Sequence, residues 1–303
     1  MPDRSPAKAR RSQILLAFAA VYIIWGSTYL AIRFAIETLP PALMVGTRFL
    51  AAGGIMYLWL RARGAEKPAA IHWRSATILG ILMPVFGTGV VVWSEKRVPS
   101  GIAALLVAIE PLWIVLLLWL GPGGKRPKAL EIGGVALGLA GLYLLVNPGG
   151  DKSQGNLFAE GVLLLAALSW AAGSLYSRSA PQPKERFLGT AMEMLVAGVV
   201  LVTLGLATGE ASHFSFGAPS AKSWLALLYL ITFGSIIAYT AYVWLLSAVN
   251  PTLVSTYAFV NPVVAVFLGW AFASEPLNAR TIAATVVIVA AVAMITVGQD
   301  KDG

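Results

Sequence analysis

The sequence predicts an all-α integral membrane protein, with ten transmembrane helices arranged as two inverted five-helix repeats around a central cavity. Three observations lead to this fold class. The composition is too apolar for a soluble domain, the chain contains ten apolar runs of membrane-spanning length, and its two halves match at a set of positions at two nearly equal offsets.

The composition indicates a lipid environment. Apolar residues make up 58% of the 303 residues and charged residues only 12%, whereas a soluble domain carries roughly a quarter charged residues. The net charge of +8 would suggest nucleic acid in a soluble protein, but here the basic residues lie mostly in short loops. We therefore expect a lipid bilayer and no nucleic acid as partner. The absence of cysteine excludes disulfides and thiolate metal sites, and we expect no cofactor or metal.

Ten apolar runs have the length that a helix needs to cross the bilayer core, roughly 20 residues. We predict the spans at residues 14–34, 41–60, 73–93, 99–120, 129–146, 157–176, 187–206, 224–246, 252–273 and 281–297. Basic residues concentrate in the segments that are cytoplasmic if the N-terminus is inside, which is the usual bias of inner-membrane proteins. Both termini are therefore predicted to be cytoplasmic.

The domain organisation follows from these spans. We predict a cytoplasmic tail at 1–13, a first five-helix repeat at 14–147, an external linker at 148–156, a second repeat at 157–298 and a cytoplasmic tail at 299–303.

The two halves of the chain match at two nearly equal offsets. At an offset of 145 residues Trp25 falls on Trp170, and at 151 residues Trp93 falls on Trp244 and Pro111 on Pro262. Because each repeat has an odd number of spans, the second copy must thread the membrane in the opposite sense. Inverted repeats of this kind recur in secondary transporters, with the substrate site near the midplane between the repeats.

Five short motifs resemble the EamA-type exporters of the drug/metabolite transporter superfamily. They are Trp25-Gly26-Ser27-Thr28-Tyr29, Arg48-Phe49-Leu50, Pro99-Ser100-Gly101, Asn261-Pro262-Val263 and Glu275-Pro276-Leu277. The resemblance covers nearly the whole chain and implies ten helices in a 5+5 arrangement around a cavity. It does not choose a cargo, because amino acids, other metabolites and cationic drugs are all represented in the family.

One departure from repeat symmetry concerns the loop after the fourth span. This loop reads Gly121-Pro122-Gly123-Gly124-Lys125 and lacks the acidic residue that Glu275 supplies in the second half. The two ends of the bundle are therefore not expected to be equivalent in function.

Three ionisable residues fall at membrane depth, where each is expensive and indicates a function. Arg48 and Glu193 are repeat counterparts, and Glu110 has Asn261 as its counterpart. Glu110 and Asn261 each precede a proline, Pro111 or Pro262, which is predicted to bend its helix beside the cavity. The alternatives are that these prolines only shape packing, and that Arg48 and Glu193 form a structural ion pair or reach towards an interface.

The deeper aromatic residues complete the candidate site. Rings that line a cavity could stack on an aromatic substrate or hold a cation, although each could instead face lipid. The predicted substrate-binding residues are Trp25, Tyr29, Arg48, Glu110, Trp113, Trp170, Glu193, Tyr257 and Asn261. Glu110 is the first candidate to carry a coupled proton and Glu193 the second.

These features predict a secondary transporter, not an enzyme, that exports small metabolites by alternating access. The two histidines, His72 and His213, lie in predicted loops and no aspartate lies in a span, which argues against intramembrane proteolysis. We favour aromatic or apolar amino acids as cargo, with cationic or amphipathic drugs as the alternative. A passive channel and a non-transporting scaffold are the alternative classes. We expect a small-molecule substrate and a monomeric protein.

Overall fold

The structure, a computed structural model, describes residues 11–121, 124, 126–146, 156–215, 217–249, 254 and 257–300. Across these residues the secondary structure is helical, with no strand. The protein is therefore all-α in the described part of the chain.

The helices follow one another with short connections. They are α1 (Arg11–Ala35), α2 (Pro41–Ala62), α3 (Ala70–Ser94), α4 (Ser100–Leu120), α5 (Ala129–Val146), α6 (Leu157–Ser177), α7 (Arg186–Ala207), α8 (Ala221–Tyr229, Leu230–Ala238 and Tyr239–Ala248, continuous), α9 (Tyr257–Ala273) and α10 (Ala279–Asp300). A short 3-10 turn, Glu210–His213, lies between α7 and α8.

Seven of these helices are long and apolar enough to cross a membrane, counted over the residues that the structure describes. They are α1 to α4, α6, α7 and the Ala221–Leu245 part of α8. The apolar stretches Ala129–Gly141, Val260–Ala273 and Ala279–Ile295, in α5, α9 and α10, are shorter.

Most helix boundaries lie within a few residues of the predicted spans. Helix α1 begins at Arg11, inside the predicted tail 1–13, and α10 runs on to Asp300. Asn156 starts α6 because its side-chain oxygen accepts a hydrogen bond from the Ala159 N–H at 3.0 Å, as an N-cap residue does. The rest of the predicted linker 148–156, residues 252, 253, 255 and 256 of the predicted ninth span, and residues 301–303 lie outside the described residues.

Three helices contain π-helical stretches, which commonly occur at functional sites. They are Ala20–Trp25 in α1, Ile81–Gly89 in α3 and Leu230–Ala238 in α8. Pro84 lies inside the second stretch and cannot donate a backbone hydrogen bond. Each stretch changes which residues of its helix face the interior of the bundle.

The helices of the two halves pack against each other in pairs. Helix α2 runs along α7, and α5 runs along α10. Helix α1 packs on α8 and α9, while α6 packs on α3 and α4. The largest buried cluster lies between α1, α2, α7 and α8 and includes Phe49, Met194 and Leu230.

Hydrogen bonds across several helices close one end of the bundle, which we call the Glu95 end. There the Arg33 guanidinium donates to the Glu95 carbonyl oxygen at 2.9 Å, and the Glu275 carboxylate accepts from the Ser100 N–H at 2.7 Å. At the other end, the Glu66 end, the exposed pair Lys184–Glu66 joins two loops at 2.6 Å.

Candidate functional site

Four aromatic side chains from three helices form a compact group, here the aromatic cluster: Trp25 of α1, Tyr239 and Tyr242 of α8, and Tyr257 of α9. The ring centroid of Trp25 lies 6.0 Å from that of Tyr239, 4.9 Å from that of Tyr242 and 5.4 Å from that of Tyr257. Tilted and edge-to-face pairs at such distances are favourable aromatic geometries. The cluster joins the first span of one half to two helices of the other.

Local helix geometry places these rings together. Trp25 ends the π-helical stretch of α1, and its indole N–H donates to the Gly234 carbonyl oxygen at 3.2 Å. Gly234 itself lies in the π-helical stretch of α8. Tyr239 and Tyr242 follow that stretch three residues apart, so they share one helix face.

Glu110 contacts the aromatic cluster from α4. Its side chain is only 8% exposed, and its carboxylate accepts a hydrogen bond from the Tyr257 hydroxyl at 2.8 Å. The backbone of α4 is interrupted directly before Glu110, since one helical segment ends at Val107 and the next begins at Glu110. The interruption places a carboxylate beside the rings without a helical hydrogen-bond ladder on its N-terminal side.

Glu193 contacts the cluster from α7. It is 7% exposed, and its carboxylate accepts from the Tyr239 hydroxyl at 3.4 Å. The side chain of Gln182, from the loop before α7, also hydrogen-bonds to this carboxylate. The two buried carboxylates are therefore each held by a different tyrosine of the cluster.

Arg48 lies buried on α2 and faces the π-helical stretch of α8. Its Nε donates to the Ser235 hydroxyl at 2.8 Å, while its Nη1 is buried with no hydrogen-bond partner. The guanidinium also lies close to Gly234, the residue that accepts from Trp25. Among the described residues, Arg48 and Glu193 do not form an ion pair, so the guanidinium keeps an unused donor beside the aromatic cluster.

Asn261 and the two prolines occupy different local structures in the two halves. Asn261 is 7% exposed, packs against Gly26 of α1, and has a buried Oδ1 atom with no partner. Pro262 lies inside α9, which is helical throughout, whereas Pro111 stands at the start of the second segment of α4. The counterpart positions thus share proline but not backbone geometry.

The remaining predicted residues divide into two groups. Tyr29 lies within electrostatic reach of both Glu110 and Tyr257, which places it at the margin of the site. Trp113 packs instead on a buried group of α4, α6 and α10 that includes Leu112, Ala167 and Ile295. Trp170 packs on Gly87 in the π-helical stretch of α3. Among the described residues, neither tryptophan has a ring contact with the aromatic cluster, and both have a buried indole N–H without a partner.

The prediction from sequence missed several residues of this region. Tyr239, Tyr242, Ser235 and Gln182 each contact a predicted site residue. The spacing of Tyr239 and Tyr242 on an apolar helix was a usable signal for the two tyrosines. Ser235 and Gln182 gave none, because serine and glutamine are common in helices and loops.

The chemistry of the site is that of recognition. Rings provide stacking surface and can hold a cation on their faces, the two carboxylates can receive an ammonium group or a proton, and the free Arg48 donor can receive a carboxylate. Within the described part of the chain no three His, Asp or Glu side chains group together as in a metal site.

Several known proteins with similar sequences are named as transporters. The model of the EamA-like transporter family matches residues 11–147 and again 157–297. The uncharacterised inner membrane transporter YedA of Escherichia coli (strain K12) is 43% identical over 284 residues, which cover 93% of this chain and 90% of that protein. The uncharacterised transporter YvbV of Bacillus subtilis (strain 168) is 24% identical over 287 residues, covering 94% and 91%.

Two further comparisons concern a plant protein and the fold. The WAT1-related protein At3g02690, chloroplastic, of Arabidopsis thaliana is 23% identical over 288 residues, covering 93% of this chain and 69% of that protein. A crystal structure superposes with a TM-score of 0.65 at 21% identity, covering 95% of this chain and 98% of the other. The protein is thus a multi-pass inner-membrane transporter and not an enzyme, and it belongs to the EamA-like transporter family.

Proposed function

We propose that the protein is a secondary transporter that exports small metabolites, with aromatic or apolar amino acids as the favoured cargo, by alternating access. The observation that carries this proposal is the aromatic cluster, which is joined by hydrogen bonds to buried carboxylates on two other helices and lies beside the free donor of Arg48.

The proposed architecture is ten transmembrane helices in two inverted five-helix repeats around a central cavity. The family model matches the chain twice, once in each half. If α1 to α5 correspond to α6 to α10, helix contacts also come in exchanged pairs, meaning that a contact between two helices recurs between their counterparts. Helix α1 contacts α9 as α6 contacts α4, α1 contacts α8 as α6 contacts α3, and α2 contacts α8 as α7 contacts α3. Such exchange is what a twofold axis between the halves requires, and it supports the repeat.

Close packing at the α2–α7 contact gives further support. A Cβ atom on Gly53 would lie 2.8 Å from the Ala191 carbonyl oxygen, and one on its counterpart Gly198 would lie 2.7 Å from the Leu50 backbone nitrogen. Each repeat therefore has a glycine at the same position, and in each case this glycine lets the backbones of α2 and α7 approach closely. We also propose that both termini are cytoplasmic, which places the Glu95 end outside.

The site has one partner for each part of an apolar amino acid. The ammonium group would bind to Glu110 or Glu193, the carboxylate to the free Nη1 of Arg48, and an aromatic side chain to the rings of the cluster.

Cationic or amphipathic drugs are the second candidate cargo. The two carboxylates contact the cluster directly through Tyr239 and Tyr257, whereas Arg48 is engaged with Ser235. Rings flanked by anions bind cations well. A cargo without a carboxylate would leave Arg48 unused.

Counterflow in proteoliposomes tests the transport proposal. Purified protein would be supplied with a panel of radiolabelled amino acids and a fluorescent cationic dye, in the wild type and in Tyr242→Ala. We expect saturable counterflow of at least one amino acid, reduced by Tyr242→Ala and unaffected by Tyr143→Ala, whose ring is 66% exposed on α5. Linear, unsaturable flux would indicate a passive channel instead, and no flux of any compound would favour a scaffold.

Coupling to protons is proposed at Glu110 first and Glu193 second. Both are buried carboxylates that can gain a proton when a cationic cargo leaves. An imposed pH gradient should stimulate wild-type flux and should have no effect on Glu110→Gln. Flux that ignores the gradient in the wild type would refute coupling and favour facilitated diffusion.

A further inference from the structure

A second buried carboxylate site lies outside the candidate substrate site, at the Glu95 end. The Glu95 side chain, in the turn between α3 and α4, is 0% exposed, and neither of its carboxylate oxygens has a hydrogen-bond partner. The Ser100 hydroxyl nearby is also fully buried and has no partner. A carboxylate in such surroundings is expensive if it carries a charge.

The neighbours of Glu95 do not compensate a negative charge well. Arg33 of α1 donates to the Glu95 backbone carbonyl oxygen and makes no hydrogen bond to the carboxylate. Glu275, from the turn after α9, adds a second negative charge. Tyr29 of α1 lies within electrostatic reach, and Glu160 of α6 is buried next to Ala159, which contacts Ser94. Lys96 and Arg97 of the same turn are exposed.

Glu275 binds the start of α4 and so joins α9 to α4. Its carboxylate oxygens accept from the N–H groups of Ser100 at 2.7 Å and Gly101 at 3.1 Å, where the positive end of the helix dipole favours an anion. Gly269 of α9 permits this approach, because a Cβ atom there would collide with the Glu275 carboxylate. At this end the Arg33–Glu95 bond joins α1 to the turn after α3, and the Glu275–Ser100 bond joins α9 to the start of α4.

The residues that would form the equivalent contacts at the opposite end of the bundle are not acidic. The repeat counterpart of Glu95 is Leu246, and the counterpart of Glu275 is Gly124. Glu95 and Glu275 are thus acidic at one end of the bundle, while their repeat counterparts at the other end are not. A transporter with this arrangement can respond to the proton concentration of one compartment.

We propose that Glu95 is a proton-binding site, whose neutral form keeps the Glu95 end closed and whose ionised form opens it. The proposal rests on the proposed alternating-access function and extends it. With the Glu95 end outside, cargo leaves while Glu95 is ionised, and a proton taken from outside then closes that end. Export of cargo is in this way followed by binding of an external proton at Glu95, which is released to the same side when that end opens again.

The direction of the pH dependence follows from the surroundings of Glu95. Burial raises the pKa of the Glu95 carboxyl well above its usual value, Glu275 raises it further, and Arg33 lowers it. In an open, hydrated end the pKa returns towards the ordinary range. Closure is therefore fully favoured below the ordinary carboxyl pKa and is lost as the pH rises through the raised value.

The reactivity of a single cysteine with a maleimide tests whether the Glu95 end opens as the pH rises, and the test needs no substrate. The chain has no cysteine, so Ala104→Cys, at a position 1% exposed on α4 just beyond Ser100, provides a single reporter for a membrane-impermeant maleimide in proteoliposomes. The thiolate is the reacting form, so rates are divided by those of the exposed Ala218→Cys reporter. The ratio should rise with pH, by up to about tenfold per pH unit within the titration range.

Two variants make the test specific. Glu95→Gln, which resembles the neutral acid and should fold, is expected to give a low ratio that does not change with pH. Glu160→Gln removes another buried carboxylate at the same end and should leave the rise unchanged. A flat wild-type ratio, a rise that persists in Glu95→Gln, or its loss in Glu160→Gln would each overturn the proposal. Absence of flux in the counterflow assay would refute the transport function but not this result.

Discussion

The Tyr257 hydroxyl is the donor that the structure gives to the buried Glu110 carboxylate, at 2.8 Å. Replacing Tyr257 by phenylalanine removes this hydrogen bond and keeps the ring. A buried carboxylate that loses its donor costs about 1–3 kcal/mol, so Tyr257→Phe should weaken the site for a cargo with an ammonium group. We expect the maximal rate of counterflow to fall about tenfold for a cargo with an ammonium group.

The matched control for this variant is Tyr143→Phe, since Tyr143 is exposed on α5. It loses the same hydroxyl without touching the site and should transport at the wild-type rate. If Tyr257→Phe kept the wild-type rate and pH profile, the Tyr257–Glu110 contact would have no part in transport.

Arg48 distinguishes the two candidate cargoes. Its Nε is held by Ser235, and its Nη1 is free. Lysine keeps the charge but cannot offer two donors in a fixed plane. Arg48→Lys should therefore raise the KM for amino acids about tenfold and leave the KM for a cationic dye without a carboxylate unchanged. An equal rise for both cargoes would mean that Arg48 acts on the structure of α8 and not on the cargo.

Sequence reasoning located four of the buried polar residues, but it missed Glu95 and Glu160 and most of the partners. Arg48, Glu110, Glu193 and Asn261 were selected because they fall inside apolar runs, and all four are buried. Trp25 lies in the aromatic cluster, whereas Trp113 packs on a different buried group, formed by α4, α6 and α10. Depth in the membrane can be read from position along a run, but the direction of a side chain depends on helix rotation. The roles of the selected residues in substrate binding remain predictions.

Irregular helix geometry is the reason that the sequence could not predict which way each side chain points from its helix. A π-helical stretch inserts additional backbone into a turn, so residues beyond it point to a different side than a regular 3.6-residue period predicts. Such stretches precede Tyr239 in α8 and end at Trp25 in α1. The existence and limits of most helices follow from hydropathy alone, because that signal depends on composition and not on rotation.

The contact between α2 and α7 allows a prediction about stability. Gly53 meets the α7 backbone, whereas a Cβ atom on the adjacent Gly54 would have nothing within 4 Å. Gly53→Ala should destabilise the protein by about 1–3 kcal/mol through overpacking. Gly54→Ala should be neutral or stabilising, because alanine favours helix over glycine by up to about 1 kcal/mol. Thermal unfolding in detergent, followed by tryptophan fluorescence, compares the two, and equal midpoints would contradict the close α2–α7 contact.

At the scale of the whole molecule, the two ends of the bundle differ in their chemistry although the helices are arranged in exchanged pairs. The Glu95 end is joined by Glu275 at α4 and by Glu210, whose carboxylate accepts from the Leu43 N–H at 2.9 Å. The Glu66 end has an exposed Lys184–Glu66 pair, which contributes little to stability. The two ends therefore differ in the hydrogen bonds that hold them, although the helix contacts come in exchanged pairs.

The inverted threading of the second repeat gives the last prediction. The loop after α2 and the loop after α7 occupy the same place in their repeats, so inversion puts them on opposite sides of the membrane. Single cysteines at exposed positions Lys67 and Ala218 should react with an impermeant maleimide from opposite sides in intact cells and inverted vesicles. A cysteine at exposed Ser179, after α6, should react from the same side as Lys67→Cys. Labelling of Lys67→Cys and Ala218→Cys from one side would disprove the inversion, and with it a substrate site shared between two oppositely oriented copies.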